Sequence, residues 1–286
     1  MPTTLITGAS SGLGAEMARQ LADRGWDLAL AARRTERLEG LRDEIVAKHP
    51  GRRVELRALD VTDDDQVFEV FRAFRDDFGT IDRVIVNAGL GKGAPLGTGR
   101  YDANRQTAMT NFVAALAQTE AAMEIFRAQK RGHLVMISSV SAMRGMRKTV
   151  TTYAATKAGV AALAEGIRNE MLGEPDLDIR VSTIYPGYIR SEMNERVKKT
   201  PFIVDTETGV RAMVEKPLER FWFEILAWRE EDWEAAPAQS VDISAVPDQK
   251  FHDRDAARLR EGLEGHVLDQ DLAEAGIGGE ERVYTR

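Results

Sequence analysis

Short apolar segments alternate with longer amphipathic segments along most of the chain, and this alternation restricts the possible folds. Six segments read as strands, at residues 3–7, 27–32, 53–61, 82–89, 132–139 and 178–187. Segments with apolar residues at helical spacing lie between them, at 12–25, 35–49, 63–79, 104–129 and 151–172. Strands that alternate with helices pair in parallel and carry helices on both faces of the sheet. The sequence therefore predicts an α/β fold with a doubly wound parallel sheet.

The chain changes character after residue 216. Residues 1–216 contain no internal linker and predict a single domain, with 205–216 as a further helix. Residues 217–286 hold 17 Asp and Glu against 8 Lys and Arg, whereas the whole chain carries a net charge of −7. We interpret them as an atypical acidic C-terminal extension. Within it, 220–228 reads either as a last strand or as an amphipathic helix, and 254–268 could form a helix.

Composition excludes several functional classes. The chain has no cysteine, which excludes a disulfide scaffold, a thiolate nucleophile and a cysteine-ligated metal. Its four histidines lack metal-ligand spacing, so we predict no metal site. The acidic tail and the lack of a basic patch argue against a nucleic-acid partner. The N-terminus has no signal-peptide pattern and no apolar run is long enough to span a membrane, so we expect a cytoplasmic protein.

The first predicted strand leads into the sequence TGASSGLG, residues 7–14, just before a predicted helix. Glycines there allow a tight turn, a close approach of the backbone to a pyrophosphate, and close packing of helix on sheet. The helix N-terminus adds free N–H groups that bind phosphate. An ordinary glycine turn is the alternative, but the flanking strand and helix favour a dinucleotide site. The candidate residues are Gly8, Ser10, Ser11, Gly12, Leu13 and Gly14.

The end of the second predicted strand indicates which dinucleotide binds. An NAD site needs an acidic side chain there to accept hydrogen bonds from the adenosine ribose. This chain instead has Ala32 followed by Arg33 and Arg34, and a guanidinium can pair with a 2′-phosphate through two parallel hydrogen bonds. The alternative is that both arginines face solvent at the start of the next helix. The missing acid and the adjacent bases favour NADP(H) over NAD(H).

Two further strand ends carry groups that suit the same ligand. Asp60 and Val61 end the third predicted strand, where a carboxylate could accept from the adenine amino group. N-capping of the next helix is the alternative role for Asp60. Asn87, Ala88 and Gly89 end the fourth strand. Because ligands of open parallel sheets bind at the carboxyl ends of the strands, we predict that these residues contact the cofactor.

A tyrosine and a lysine stand one helical turn apart in the sequence YAATK, at positions 153 and 157. A phenol with a pKa of about 10 is a poor base near neutral pH, but a nearby ammonium or oxidised nicotinamide would lower that pKa. Ser138 and Ser139 end the fifth predicted strand, where a hydroxyl could stabilise charge on a carbonyl oxygen. A packed tyrosine and a solvated lysine are the alternative. With the phosphate loop upstream, the set favours hydride transfer to a carbonyl carbon, coupled to proton transfer.

From residue 3 to about 200, the ordered motifs TGASSGLG, LDV, NAG, MTNFVAAL, VMISS, YAATK and IYPGYIRSEM resemble the classical short-chain dehydrogenase/reductase family, which has a Rossmann-type fold. The resemblance implies that Tyr153 is the general acid/base and that Lys157 bonds the nicotinamide ribose and lowers the tyrosine pKa. It implies that Ser139 holds the substrate oxygen and that Asn111 orders a water relaying protons to Lys157. Arg33 matches the family's NADP-selecting position. The residues implied to line the nicotinamide are Pro186, Gly187, Ile189 and Ser191.

Three features depart from the family pattern. Ser191 stands where the family usually has Thr, a change that keeps the hydroxyl. Ser139 and Tyr153 are 14 residues apart, one more than is common, so Ser138 and Ser141 remain alternatives to Ser139. Residues 217–286 match no part of the family that we can place.

The predicted function is an NADP(H)-dependent oxidoreductase acting on a carbonyl or secondary alcohol, with residues 190–216 as a lid over the substrate. A 3-oxoacyl thioester reductase with the same residues is one alternative. A dinucleotide-binding sensor or scaffold without turnover is an alternative of another class. We expect a small-molecule carbonyl or alcohol as the substrate, a homo-oligomer (dimer or tetramer), and neither a nucleic-acid partner nor a membrane span.

Overall fold

A computed structural model describes residues 1–192, 203–215 and 224–226 of the chain. The helix predicted at 254–268, and most of the acidic extension, lie outside these described residues.

Seven parallel strands form one sheet in the order β3-β2-β1-β4-β5-β6-β7. The strands are β1 Thr3–Thr7, β2 Asp27–Ala32, β3 Val54–Ala58, β4 Arg83–Val86, β5 Arg131–Ile137, β6 Asp178–Pro186 and β7 Glu224–Leu226. The first six confirm the predicted parallel sheet. The last pairs with the end of β6, so residues 224–226 of the ambiguous segment form a strand.

Seven α-helices connect or follow these strands within the described residues. They are α1 Gly12–Asp23, α2 Thr35–Lys48, α3 Asp64–Phe78, α4 Tyr101–Ala108, α5 Ala114–Gln129, α6 Thr151–Leu172 and α7 Thr206–Glu215. The single helix predicted at 104–129 is wrong in detail, because a π-helical turn at Met109–Val113 separates α4 from α5. No helix in the described part of the chain combines the length and apolarity needed to cross a bilayer.

Helices cover both faces of the sheet, so central strands such as β1 and β2 are buried along their whole length. Leu5 of β1 packs into the core formed with α3, α5 and α6. Its neighbour Ile6 packs into the opposite core, formed with α1, α2 and α7. Both side chains are fully buried, so β1 is enclosed on its two faces.

The strand order reverses between β1 and β4, since β2 and β3 extend to one side of β1 and the later strands extend to the other. At such a point the loops that leave neighbouring strands diverge, and a crevice opens at their carboxyl ends. The loops that follow β1 and β4 carry the two glycine-containing motifs singled out in the sequence. The topology therefore brings them to one edge of the sheet.

Candidate active site

The loop between β1 and α1 depends on glycine at three positions. Gly8 and Gly12 have φ angles of +66° and +53°, a region that L side chains rarely adopt. Gly14 has no room for a side chain, because a Cβ there would lie 2.4 Å from the carbonyl oxygen of Gly8. Gly8 and Gly12 are therefore required by the backbone conformation of the predicted tight turn, whereas Gly14 is required by close packing.

Hydrogen bonds join the end of β1 to the end of β4. The Asn87 side-chain amide donates to the Thr7 carbonyl oxygen over 2.9 Å, and the Thr7 hydroxyl accepts from the backbone N–H groups of Asn87 and Ala88 over 3.1 and 3.2 Å. A Cβ on Gly8 would lie only 2.9 Å from the Ala88 Cα. The NAG motif therefore supports the glycine loop directly, besides being a candidate cofactor contact.

Donors at the start of α1 suit a phosphate group. Ser11 is the N-cap residue, but its side chain makes no capping hydrogen bond to the helix. The guanidinium of Arg34 instead donates to the hydroxyls of Ser10 and Ser11, over 3.3 and 2.7 Å. A helix N-terminus, two hydroxyls and a guanidinium in one place fit the phosphates of a nicotinamide dinucleotide.

Arg33 and Asp60 face each other across the ends of β2 and β3. The Arg33 guanidinium lies 3.9 Å from an Asp60 carboxylate oxygen, and both side chains are exposed. The Asp60 carboxylate also accepts from the backbone N–H and the hydroxyl of Thr62, over 3.0 and 2.8 Å. The N-cap of α3 is Asp63, whose side chain accepts from the Gln66 N–H, so Asp60 does not have the alternative capping role.

The lysine of the YAATK motif is buried against the fifth strand. Lys157 is 6% exposed, and its ammonium donates to the carbonyl oxygen of Ile137, the last residue of β5, over 2.7 Å. Burial lowers the pKa of Lys157 to about 8, because removing water disfavours the charged form. A solvated surface lysine, the alternative considered from the sequence, does not match this position.

Tyr153 lies one turn earlier on α6, with its ring centroid 5.9 Å from the Lys157 ammonium. Burial raises the pKa of Tyr153, a hydrogen bond with Ser139 opposes that rise, and Tyr188 adds to it. The net effect of the described residues is therefore opposite to the lowering expected from a neighbouring ammonium.

The three serines that follow β5 differ in their contacts. Ser138 is buried and its hydroxyl donates to the backbone carbonyl oxygen of Lys157 over 2.8 Å, which fixes α6 against the strand. The Ser139 hydroxyl oxygen accepts from the backbone N–H and the hydroxyl of Ser141, over 3.2 and 3.0 Å. Of the three serines, Ser139 is also the one that lowers the pKa of Tyr153. The geometry thus favours Ser139 over Ser138 as tyrosine's partner, with Ser141 beside it.

Asn111 lies in the π-helical turn and is 1% exposed. Its side chain accepts from the Leu90 N–H over 2.8 Å and donates to the Leu90 carbonyl oxygen over 2.9 Å. A Cβ placed on Gly89 would lie 3.2 Å from the Asn111 side-chain oxygen and 3.7 Å from the Lys157 ammonium nitrogen. The end of β4, the π-helical turn and α6 therefore meet at one point.

Comparison with known proteins identifies the family. A family model described as short chain dehydrogenase matches residues 2–201. An uncharacterised oxidoreductase of Mycobacterium tuberculosis is 50% identical over 210 residues, which cover 73% of this chain and 82% of that protein. The chain belongs to the short-chain dehydrogenase/reductase family. It is therefore an oxidoreductase from a family that binds nicotinamide dinucleotides.

Two solved short-chain dehydrogenase/reductase structures illustrate the similarity. An alcohol dehydrogenase from the archaeon Thermococcus sibiricus, complexed with 5-hydroxy-NADP, superposes with a TM-score of 0.67 at 26% identity, covering 77% of this chain and 93% of that chain. A Burkholderia phymatum enzyme in complex with NAD gives a TM-score of 0.63 at 25% identity, covering 69% and 70%. The two complexes contain different dinucleotides.

In this short-chain dehydrogenase/reductase, the segment after β6 passes close to the glycine loop. Pro186 ends β6, and a Cβ on Gly12 would lie 3.4 Å from the Ser191 Cβ. Ile189 is 4% exposed and packs against Gly209 of α7, so its side chain belongs to the core. Of the predicted nicotinamide-lining residues in this segment, Ser191 is thus next to the phosphate loop, whereas the Ile189 side chain packs against α7.

Two residues of the enzyme's candidate cofactor site were missed by sequence reasoning. Arg37, one turn into α2, pairs with Glu192, and Glu192 also pairs with Arg34 over 3.1 Å. The spacing of Arg34 and Arg37, three residues apart before a predicted helix, could have indicated a pair of neighbouring guanidinium groups. No local signal identifies Glu192, which is 155 residues away from Arg37 in sequence.

Proposed function

We propose that this enzyme uses NADP(H) to interconvert a carbonyl compound and the corresponding secondary alcohol, with Tyr153 as the general acid/base. The observation that carries the proposal is the cluster at the carboxyl end of β5. There Lys157 donates to Ile137 over 2.7 Å, and the Tyr153 ring centroid lies 5.9 Å from the Lys157 ammonium, beside a loop that fits a dinucleotide. Such a cluster suits a proton transfer coupled to hydride transfer.

A nicotinamide held next to this cluster would supply the hydride for reduction of the carbonyl carbon. The Tyr153 hydroxyl donates its proton to the carbonyl oxygen, while the Ser139 hydroxyl holds that oxygen in place. The raised pKa of Tyr153 keeps the phenol protonated and ready to act as the acid in this direction. With a pKa of about 8, Lys157 is about nine-tenths protonated at pH 7, so its ammonium can stabilise the phenolate that remains.

The preference for NADP(H) rests on the guanidinium groups at the ends of β2 and the start of α2. Arg34 reaches the hydroxyls of the phosphate loop, and Arg33 is exposed beside it. No acidic residue stands directly after β2, where an NAD site would need one. One solved relative is complexed with 5-hydroxy-NADP and another with NAD, so the proposed preference depends on the arginines of this chain.

Replacing Tyr153 by Phe tests the proposed chemistry. The variant keeps the ring but loses the acidic proton, so we expect turnover to fall by roughly 100-fold to 10,000-fold while NADPH affinity stays within about twofold. Turnover is followed by nicotinamide absorbance on a panel of ketones, secondary alcohols and acyl thioesters. NADPH affinity is followed by titration of fluorescence.

Two outcomes would contradict the proposal, and a third would narrow its substrate class. Retained turnover in Tyr153→Phe would show that Tyr153 is not the general acid/base. A wild-type protein that binds NADPH but turns over nothing in the panel would favour a sensor or scaffold. Activity confined to the acyl thioesters would favour the 3-oxoacyl thioester reductase.

A further inference from the structure

A carboxylate of the enzyme already lies between the guanidinium groups that the cofactor phosphate needs. One Glu192 oxygen is 3.1 Å from an Arg34 nitrogen, and the other pairs with Arg37. The remaining donors of Arg34 face Ser10 and Ser11 of the phosphate loop. Glu192 therefore binds the two arginines in the way a phosphate binds a guanidinium pair, through two oxygens.

The backbone on the N-terminal side of Glu192 is held in place. The Arg190 N–H donates to the Val204 carbonyl oxygen over 2.9 Å, and the Val204 N–H donates to the Tyr188 carbonyl oxygen over 3.0 Å. The Thr206 hydroxyl then donates to the Arg190 carbonyl oxygen over 2.6 Å. These bonds connect residues 188–190, which directly precede Ser191 and Glu192, to the start of α7.

The electrostatics favour an ionised carboxylate at this point. Hydrogen bonds from Arg37 and then Arg34 lower the pKa of Glu192 below its ordinary value, so it is charged at neutral pH. Two guanidinium groups cannot bind the same carboxylate and a phosphate dianion through the same donors. An arriving 2′-phosphate must therefore displace Glu192 or share the arginines with it.

We propose that Glu192 competes with the 2′-phosphate of NADP(H) for Arg34 and Arg37, and that Arg37 is a further residue determining cofactor specificity. This proposal rests on the proposed NADP(H) function and identifies Glu192 as a residue that weakens the binding of NADP(H). NAD(H) lacks the 2′-phosphate and leaves the Glu192 pairs intact. The carboxylate therefore narrows the difference in affinity between the two dinucleotides.

The substitution Glu192→Gln tests the competition. Removing the charge frees both arginines, so we expect the Kd for NADPH to fall about threefold to tenfold at low salt, the range expected for two exposed ion pairs. The Kd for NADH should stay within about twofold. The fragment 2′,5′-ADP should show the same gain as NADPH, and 5′-ADP should show none.

A control variant separates competition for the arginines from the general electrostatic effect of removing one negative charge. Glu36→Gln removes the same charge from the first turn of the same helix, α2, yet within the described residues Glu36 has no ion-pair partner. We expect it to change the NADPH affinity by less than twofold. In an Arg37→Ala background, which should itself weaken NADPH binding, the gain from Glu192→Gln should shrink. Above about 0.5 M salt, the gain should also shrink because ions screen exposed charges.

Specific outcomes would overturn the proposal. If Glu192→Gln leaves NADPH affinity unchanged or weakens it, then Glu192 positions the arginines rather than competing for them. If Glu36→Gln gives an equal gain, the effect is a general one of net charge. If neither the wild-type enzyme nor Glu192→Gln prefers NADPH over NADH, the cofactor assignment under the proposed function is wrong and the competition falls with it. If the wild-type enzyme prefers NADPH but Glu192→Gln binds NADPH with the same affinity as the wild type, only the competition is overturned.

Discussion

At the scale of single residues, two buried asparagines each bond a backbone N–H and a backbone carbonyl oxygen, but they differ in their position relative to the proposed proton transfer. Asn111 accepts from the Leu90 N–H and donates to the Leu90 carbonyl oxygen. Asn104 does the same with Ala94, over 3.0 and 3.1 Å. Each side chain satisfies two backbone groups of the loop that follows β4. Of the two, Asn111 is the one beside Gly89 and the Lys157 ammonium.

We expect both Asn111→Ala and Asn104→Ala to lower the free energy of unfolding by about 2–4 kcal/mol, because each leaves two backbone groups unpaired. Turnover per folded molecule should fall only in Asn111→Ala, if that side chain takes part in proton relay to Lys157. Urea unfolding gives the first quantity, and kcat corrected for the folded fraction gives the second. An equal loss of kcat in both variants would reduce Asn111 to a structural role.

At the scale of elements, two glycines with opposite surroundings give a matched pair. A Cβ on Gly14 would meet the Gly8 carbonyl oxygen at 2.4 Å, whereas a Cβ on Gly40, inside α2, would have nothing within 4 Å. Gly14→Ala should lower the free energy of unfolding by about 1–3 kcal/mol through overpacking, and it should weaken NADPH binding by distorting the loop. Gly40→Ala should raise the free energy of unfolding by about 0.5–1 kcal/mol, since alanine favours a helix.

Thermal unfolding and NADPH titration of the two variants check this prediction. Unchanged NADPH affinity in Gly14→Ala would mean that the loop can shift without losing its function. Reduced stability in Gly40→Ala would mean that α2 has a neighbour outside the described residues.

The helices and strands were predicted well where one physical signal dominates. The bounds of β1, β2 and α6 match their predictions to the residue. The π-helical turn at Met109–Val113 was missed because no local pattern within 104–129 marks it; Asn111, which lies in the turn, bonds Leu90. The strands at 53–61 and 82–89 were predicted too long, since β3 ends at Ala58 and β4 at Val86, before the residues of the candidate site.

The candidate site likewise contains residues that a local motif predicts and residues that no local motif predicts. The glycine loop and the pair of Tyr153 and Lys157 follow from local motifs. The partnership of Arg34 with Glu192 joins residues 158 positions apart, so only the folded chain reveals it.

At the scale of the whole molecule, cationic and polar groups line up across three strands. Arg83, His133 and Arg180 occupy matching positions on β4, β5 and β6. The Arg83 side chain donates to His133 Nδ1 over 3.2 Å, so the ring proton is on Nε2, which donates to the Ser182 hydroxyl over 2.9 Å. Burial, with added repulsion from Arg83 and Arg180, lowers the pKa of His133 to about 3. The folded protein therefore keeps this ring neutral over most of the acid range.

Acid should consequently destabilise the enzyme through His133. In the unfolded chain the ring takes up a proton near pH 6.5, whereas in the folded chain it does so only near pH 3. The unfolded state thus binds more protons between these values, and stability falls as pH decreases through that window. From pH 7.5 to pH 5 the loss from this group is about 2 kcal/mol, and it does not depend on the folded pKa as long as that value is well below 5.

His133→Gln isolates this effect, because glutamine has a side-chain oxygen to accept from Arg83 but no proton to take up. We expect the variant to be less stable than the wild type at pH 7.5, yet to lose about 2 kcal/mol less between pH 7.5 and pH 5. Urea unfolding at both pH values measures the difference, and the carboxylates common to both proteins cancel from it. An identical loss in the two proteins would show that His133 becomes protonated at the same pH in the folded and unfolded states. The neutral, hydrogen-bonded ring would then be the wrong description of this part of the sheet.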